Sequence, residues 1–261
     1  MGIFKRKSDE PSSGAETPVD RVFSLHGQAK QLHQLGRHDE AMPLAERAVE
    51  LAREHFGAGH PDYPAILAEA GLIHMALKNF SKAEPLLQEA LDIDRRSLGE
   101  EHEYVATDLN NLAELYRRSD ELAKAEPLYQ QSLEIKRKEL GEDHPEYVRA
   151  LNNLALLYYA MGRYEEAEPL YQRTLQVWRA AFGERHQDVA IALSNLALLY
   201  QAMGRYGEAE GLYQRALQIL EGAVGAGHPS YAANLAGLAK LYQEMGRDEA
   251  AEELLRKLGL S

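Results

Sequence analysis

The chain has 261 residues, with 29 lysines and arginines against 41 aspartates and glutamates, a net charge of −12, and no cysteine. The absence of cysteine excludes disulfides, thiolate metal sites and cysteine nucleophiles, and the acidic balance excludes a nucleic-acid binder, which relies on concentrated positive charge. No run approaches the roughly 18 apolar residues of a membrane span and no apolar stretch follows the basic N-terminus, so a soluble cytoplasmic protein without stable membrane insertion is expected.

Residues 1–19, MGIFKRKSDEPSSGAETPV, lack hydrophobic periodicity and collect Ser, Pro, Gly and charge. They predict a disordered tail. Met1-Gly2 opens like a myristoylation signal, but Arg6 stands where that signal needs Ser or Thr. Ile3, Phe4, Lys5, Arg6 and Lys7 offer at most a weak contact with an anionic membrane surface.

From about residue 20 to the end the chain repeats itself. Gly36, Gly162, Gly204 and Gly246 are each followed by Arg, with Lys78 and Asp120 at the two intermediate positions, and the step is always 42 residues. A second marker keeps the same step: Gly57, Gly99, Gly141, Gly183 and Gly225, each followed three residues later by His60, His102, His144, His186 or His228. Each unit reads as two helices. In the fourth, Val148, Leu151, Leu154, Ala155, Leu157 and Tyr158 line one helical face between Pro145 and Met161. A second helix follows Gly162, from Tyr164 to about Ala181.

Pro61, Pro145 and Pro229 suit the first helical position, where a missing N–H costs nothing. Gly183 is expected to end its helix as a left-handed C-cap. Pro43, Pro85, Pro127 and Pro169 fall inside the second helices, where proline removes a backbone bond; a recurring kink is the expected consequence. Gly211 and Glu253 replace that proline in the last two units. The final helix, Asp248 to about Leu258, is short and carries Leu254, Leu255, Leu258 and Leu260. These leucines either fold back on the preceding unit or form a docking or homo-oligomer patch.

The fifth unit, aligned on Leu193, Leu196, Ala197, Tyr200, Gly204, Ala209, Tyr213 and Ala216, resembles the tetratricopeptide repeat. Its small position recurs at Ala41, Ala83, Ala125, Ala167, Ala209 and Ala251, and its aromatic at Tyr116, Tyr158, Tyr200 and Tyr242. The longer 42-residue unit is similar to the repeats of kinesin light chain and related bacterial proteins. That similarity lies in Leu151-Asn-Asn-Leu-Ala-Leu-Leu-Tyr158, Gly162-Arg-Tyr-Glu-Glu-Ala-Glu168 and Gly141-Glu-Asp-His-Pro145. The heptad coiled coil of kinesin light chain is missing. The resemblance implies an all-α, right-handed superhelical solenoid of about six repeats over residues 20–261. It also implies a concave groove, lined by the first helix of each repeat, that binds partner proteins.

Aligned on that pattern, the groove displays Asn110, Asn111, Arg117 and Arg118 from the third repeat, with Glu114 beside them. The fourth repeat adds Arg149, Asn152, Asn153, Leu156 and Tyr159, and the fifth Ser194, Asn195, Leu198 and Gln201. An asparagine amide supplies two donors and an acceptor oxygen, so Asn111, Asn153 and Asn195, 42 residues apart, either clasp an extended peptide backbone or stitch neighbouring helices together. Arg117, Arg118 and Arg149 favour an acidic peptide. The periodic histidines sit on separate loops, too far apart for one metal ion, and are expected to cap helices. Acidic pairs such as Glu165-Glu166 and Glu252-Glu253 read as solvated faces. No catalytic motif, cofactor or metal site is expected. Besides the peptide-binding adaptor, a self-assembling structural module and a peptide-sensing solenoid of variable curvature fit the sequence.

Overall fold

The computed structural model of the chain describes residues 17–57 and 59–259. Among them are twelve α-helices and no strand. The helices form six hairpins: α1 (Pro18–Gln34) with α2 (His38–His55), α3 (Tyr63–Ala76) with α4 (Phe80–Leu98), α5 (Glu103–Arg118) with α6 (Leu122–Leu140), α7 (Pro145–Ala160) with α8 (Tyr164–Phe182), α9 (Gln187–Ala202) with α10 (Tyr206–Ala223), and α11 (Pro229–Glu244) with α12 (Asp248–Lys257). This is an all-α helical-repeat solenoid. No helix among the described residues is long and apolar enough to cross a membrane.

The array starts earlier than the boundary expected at residue 20. Thr17 Oγ1 accepts the Asp20 N–H at 3.1 Å while the Asp20 carboxylate accepts the Thr17 N–H at 3.1 Å. This reciprocal capping box starts α1 at Pro18. The rest of the expected tail, residues 1–16, lies outside the described residues, as does Leu260.

The chain divides into two compact units between Ser97 and Leu98. Val22, Leu25, Ile66, Leu67 and Ile73 anchor the core of the first. Val148, Leu157, Tyr171, Leu193 and Leu199 belong to the core of the second. Burying such a side chain fully is worth roughly 1.5–3 kcal/mol, and in a repeat array that burial accrues between neighbours. The recurring alanines Ala41, Ala83, Ala125, Ala167 and Ala209 are completely buried. Leu254, Leu255 and Leu258 are half-buried, and Leu254 packs against the second core.

One backbone device closes the first helix of every repeat. In the fourth, Gly162 takes φ +73° and its N–H bonds the Tyr159 carbonyl, while the Arg163 N–H reaches back to the Tyr158 carbonyl at 2.9 Å. This is a Schellman closure, which needs a left-handed residue. Lys78 (φ +61°) and Asp120 (φ +66°) occupy that strained position in repeats two and three.

The second helices end differently from expectation. Gly141 and Gly183 have φ near +80° but ψ of 165° and 169°. That region is essentially closed to any residue with a Cβ, so these glycines are required more strictly than a left-handed cap would require them. Three residues on, His102, His144, His186 and His228 are N-caps. Each Nδ1 accepts the backbone N–H two residues ahead at 3.2 Å, which satisfies an otherwise orphaned helix donor and places the neutral ring's proton on Nε2.

Pro145 and Pro229 begin α7 and α11 as expected. Pro61 does not begin α3; it lies in a turn, and α3 starts at Tyr63 with Pro64 behind it. Pro43, Pro85, Pro127 and Pro169 are each the sixth residue of a second helix, which runs past them as one segment.

Candidate peptide-binding site

The residues singled out from sequence lie on the first helices of the second unit. Cross-repeat side-chain bonds lace these helices together. Asn153 on α7 donates its Nδ2 to Asn110 Oδ1 on α5 at 2.9 Å, and Asn195 on α9 donates to Asn152 Oδ1 on α7 at 2.9 Å. Ser194 Oγ meets Asn234 Oδ1 on α11 at 2.5 Å, and Gln201 Nε2 donates to Glu244 at 2.9 Å. The stitching role of the asparagines is therefore present in the structure. A carboxamide has two N–H groups and an oxygen with two lone pairs, so one seam bond leaves each asparagine capacity for another partner.

Gln201 stands apart. It is buried, and its oxygen also accepts from Tyr213 Oη on α10 at 3.2 Å, so its amide ties α9 to α11 at one end and to α10 at the other. Leu156 and Tyr159 are half-buried against the core of the unit, and Leu198 is half-buried on α9. Burial pushes the Tyr159 hydroxyl above the usual phenol range.

Every arginine of the expected basic patch has an acidic partner. Arg117 forks onto Glu114 through Nε and Nη2 at 2.8 and 2.7 Å, Arg118 Nε approaches the same carboxylate at 3.1 Å, and Tyr129 Oη donates to it at 2.8 Å. Burial pushes Glu114 upward, but the hydrogen bond and charge of Arg117, with Tyr129 and Arg118 behind them, hold it below the ordinary carboxylate range. Glu114 in turn holds Arg117 well above the usual guanidinium value, and burial raises Tyr129. Arg149 bonds Glu146 at 2.6 Å, and Lys136 shares that carboxylate at 3.2 Å. The first cluster holds two cations against one carboxylate and leaves Arg118 exposed, whereas Arg149 and Lys136 meet Glu146 and Asp188 lines the same cavity as Arg149.

Between α7, α8 and α9 lies a cavity of about 200 Å³ that brings Arg149, Asn152 and Asn153 together with Thr174, Trp178, Asp188 and Ile191. Thr174, Trp178, Asp188 and Ile191, with Ala192 beside them, escaped the sequence reading of the site. Thr174 is buried and its hydroxyl has no hydrogen-bond partner; at the equivalent point of the third repeat, Ser132 Oγ donates to the Ala106 carbonyl at 2.6 Å. The signals were present: Thr174 and Ser132 are polar where other repeats place Ala48, Ala90 and Ala216, and Trp178 is the single tryptophan of the chain.

Sequence reading also missed a clasp at the hairpin turns, joining the first helix of one repeat to the second helix of the repeat before it. Arg205, the Arg of a Gly-Arg pair, lies 3.7 Å over the Tyr200 ring, forks onto Glu208 at 2.7 Å through each nitrogen, and reaches Glu168 of the preceding repeat at 3.0 Å. Tyr200 Oη donates to the same Glu168 at 2.9 Å. Arg163 with Tyr158 and Glu126, and Arg247 with Tyr242 and Glu210, repeat the arrangement. No cluster of three or more metal-ligating side chains occurs among the described residues.

Comparison with known proteins agrees with this architecture. Tetratricopeptide repeat models match residues 32–62, 63–138, 109–180, 146–221 and 188–258. A comparison with curated proteins finds no match. Among solved structures, the nearly identical TPR-like repeats of a kinesin light chain from Podosopora anserina align with a TM-score of 0.68 at 27% identity, covering 80% of this chain and 98% of that one. A Rap protein complexed with Competence and Sporulation Factor aligns at 0.68 with 16% identity, covering 93% of this chain and 74% of that one. NprR in complex with its cognate peptide NprX aligns at 0.65 with 18% identity, covering 90% of this chain and 65% of that one. With the 42-residue period, the Schellman closures and the buried alanines already established, the chain belongs to the tetratricopeptide repeat family and resembles kinesin light chain within it.

Proposed function

We propose that this protein is a non-catalytic adaptor, acting in the cytoplasm, that binds an extended acidic peptide segment of a partner protein across α5, α7 and α9. The observation carrying this reading is the cavity at Arg149, Asn152 and Asn153, where amides with remaining hydrogen-bonding capacity adjoin a buried, unpartnered hydroxyl and an apolar wall. Buried polar groups of that kind are ordinarily satisfied, and a peptide main chain supplies both donors and acceptors. The excess cation of the Arg117–Arg118 cluster on Glu114 supports the acidic preference. Tetratricopeptide structures that hold a peptide, NprR with NprX among them, support the choice of ligand class at the level of fold.

Hydrogen bonds net roughly 0.5–1.5 kcal/mol each, so a handful with one anchor side chain gives affinity near micromolar, about −8 kcal/mol. A peptide-display selection on the purified chain tests the reading, run beside Asn111→Ala and the Asn111, Asn153 and Asn195 triple alanine variant. Asn111 makes none of the seam bonds described above, so its loss separates peptide contact from stitching. Enrichment of an acidic motif that Asn111→Ala weakens, with helicity unchanged by circular dichroism, supports the adaptor. Failure to enrich any motif overturns it.

A further inference from the structure

A second cavity, of about 530 Å³, opens in the first unit between α2 and α4, with α3 behind it. That volume is within the range of ligand-binding cavities. Its origin is legible repeat by repeat. The third to sixth repeats place Leu112, Leu154, Leu196 and Leu238 at one first-helix position, and Tyr116, Tyr158, Tyr200 and Tyr242 four residues later. The second repeat has Ala70 and His74 there, and both line the cavity. A cavity of about 550 Å³ also opens along the matching face of α8, at Gln172, Leu175, Gln176 and Arg179, but no residue of α9 lines it; in the second repeat the smaller Ala70 and His74 let the cavity reach α3.

The stacked arginine and the glutamate of the second-unit clasp are gone, with Asn79 and Met42 at their positions, but two other positions around the ring keep polar groups. Glu46 stands where Gln130, Gln172 and Gln214 stand, and each of those glutamines bonds a tyrosine hydroxyl at 3.2–3.3 Å. Lys82 stands where Lys124 stands, and the Lys124 ammonium lies 4.9 Å over the Tyr116 ring. In the first unit Lys82 bonds Glu46 at 3.0 Å instead, and His74 Nε2 lies 3.3 Å from the same carboxylate. His74 is 2% exposed and its Nδ1 has no hydrogen-bond partner. Val49, Pro85 and Leu86 supply apolar wall.

We propose that this cavity is a receptor for the phenol ring of a tyrosine presented by a partner protein. The hydroxyl donates to Glu46, the Lys82 ammonium covers the ring face, and the ring occupies the space left by Ala70 and His74. The site lies on helices other than those of the peptide-binding face, so it stands or falls separately from that function.

The test is titration of the full, ¹⁵N-labelled chain with p-cresol and with toluene, followed by amide shifts in α2, α3 and α4. A hydrogen bond to a charged acceptor distinguishes the two, so p-cresol is expected to bind about tenfold or more tighter. Ala70→Leu and His74→Tyr restore residues that the other repeats carry, and each is expected to weaken p-cresol at least about tenfold by filling the cavity. A short peptide with one central tyrosine is expected to shift the same amides, and its phenylalanine version to bind about tenfold more weakly. Equal affinity for p-cresol and toluene overturns the proposal, as does p-cresol binding unaffected by Ala70→Leu in a folded variant. A silent tyrosine peptide overturns the partner reading even if free p-cresol binds.

Discussion

The two units solve the same repeat junction with different side chains. In the second, a tyrosine ring, an arginine stacked on it and a glutamate from the preceding repeat close the junction three times over. In the first, the equivalent place holds a buried His74 with one nitrogen unpartnered, a Glu46–Lys82 pair and open space. The backbone is indifferent to this, because the Asn79 N–H reaches the His74 carbonyl at 2.8 Å just as the Arg205 N–H reaches that of Tyr200. The period therefore enforces the main-chain course, while side chains decide whether a junction is filled or left able to receive something.

Tyr200→Ala should break the contrast most strongly. It deletes a buried ring together with its bond to Glu168 and is expected to cost about 3–5 kcal/mol, whereas His74→Ala, beside an existing cavity, should cost less than about 1.5 kcal/mol. Guanidinium denaturation of the two variants checks this, and equal losses would show that the second-unit clasp adds nothing.

Acid should separate the units next. Burial holds His74 and His26 below the ordinary histidine value of 6.5. The unfolded chain thus binds protons at these sites before the folded one does, and stability of the first unit falls as pH drops from about 6.5 toward the lowered values. Glu114, in the second unit, is held below the ordinary 4.5. Its contribution is complete above about pH 4.5 and is lost only as pH falls through its folded value. Hydrogen exchange corrected for intrinsic rates should show α1–α4 loosening near pH 6 while α5–α11 stay protected; simultaneous loosening would contradict the assignment.

Smaller effects sharpen the backbone half of the comparison. Lys78→Gly relieves a left-handed lysine and should stabilise by about 1 kcal/mol, after the extra unfolded-state entropy of glycine is subtracted. Asp120→Gly should gain about half as much, since aspartate tolerates that conformation better. Thermal melts decide between this ordering and its reverse. Slightest of all, Arg205→Lys keeps the charge but loses the planar fork and stack, and should lower the denaturation midpoint only marginally.

Much of this was open to sequence reading because it is periodic. Glycines that recur every 42 residues announce helix ends, histidines three residues later announce helix starts, and the alternation of large and small residues announces hairpins. Pro61 misled because proline is as much at home in a turn as in a first helical turn, and Asp62 does not cap with its side chain. The candidate site was legible as a list of positions but not as chemistry. Nothing in Asn152-Asn153 says which amide faces which neighbour, and a list of positions does not show Arg117 and Arg149 pairing with Glu114 and Glu146 three residues away. The Ala70 and His74 departures were visible as irregularities, yet only coordinates turn a missing leucine and tyrosine into a volume.

The asparagine pairs carry one more consequence. Asn153 donates backward to Asn110 while its neighbour Asn152 accepts from Asn195. The Asn152-Asn153 step is thus a two-ended coupling, one residue plugging into the module before and the other serving as socket for the module after. A duplicated fourth module would present the same plug and the same socket, so the array could be lengthened by whole modules without redesigning a seam. At Ser194 and Asn234 the coupling changes gender, with a hydroxyl meeting an amide oxygen, and growth by simple copying would stop being interchangeable beyond that point.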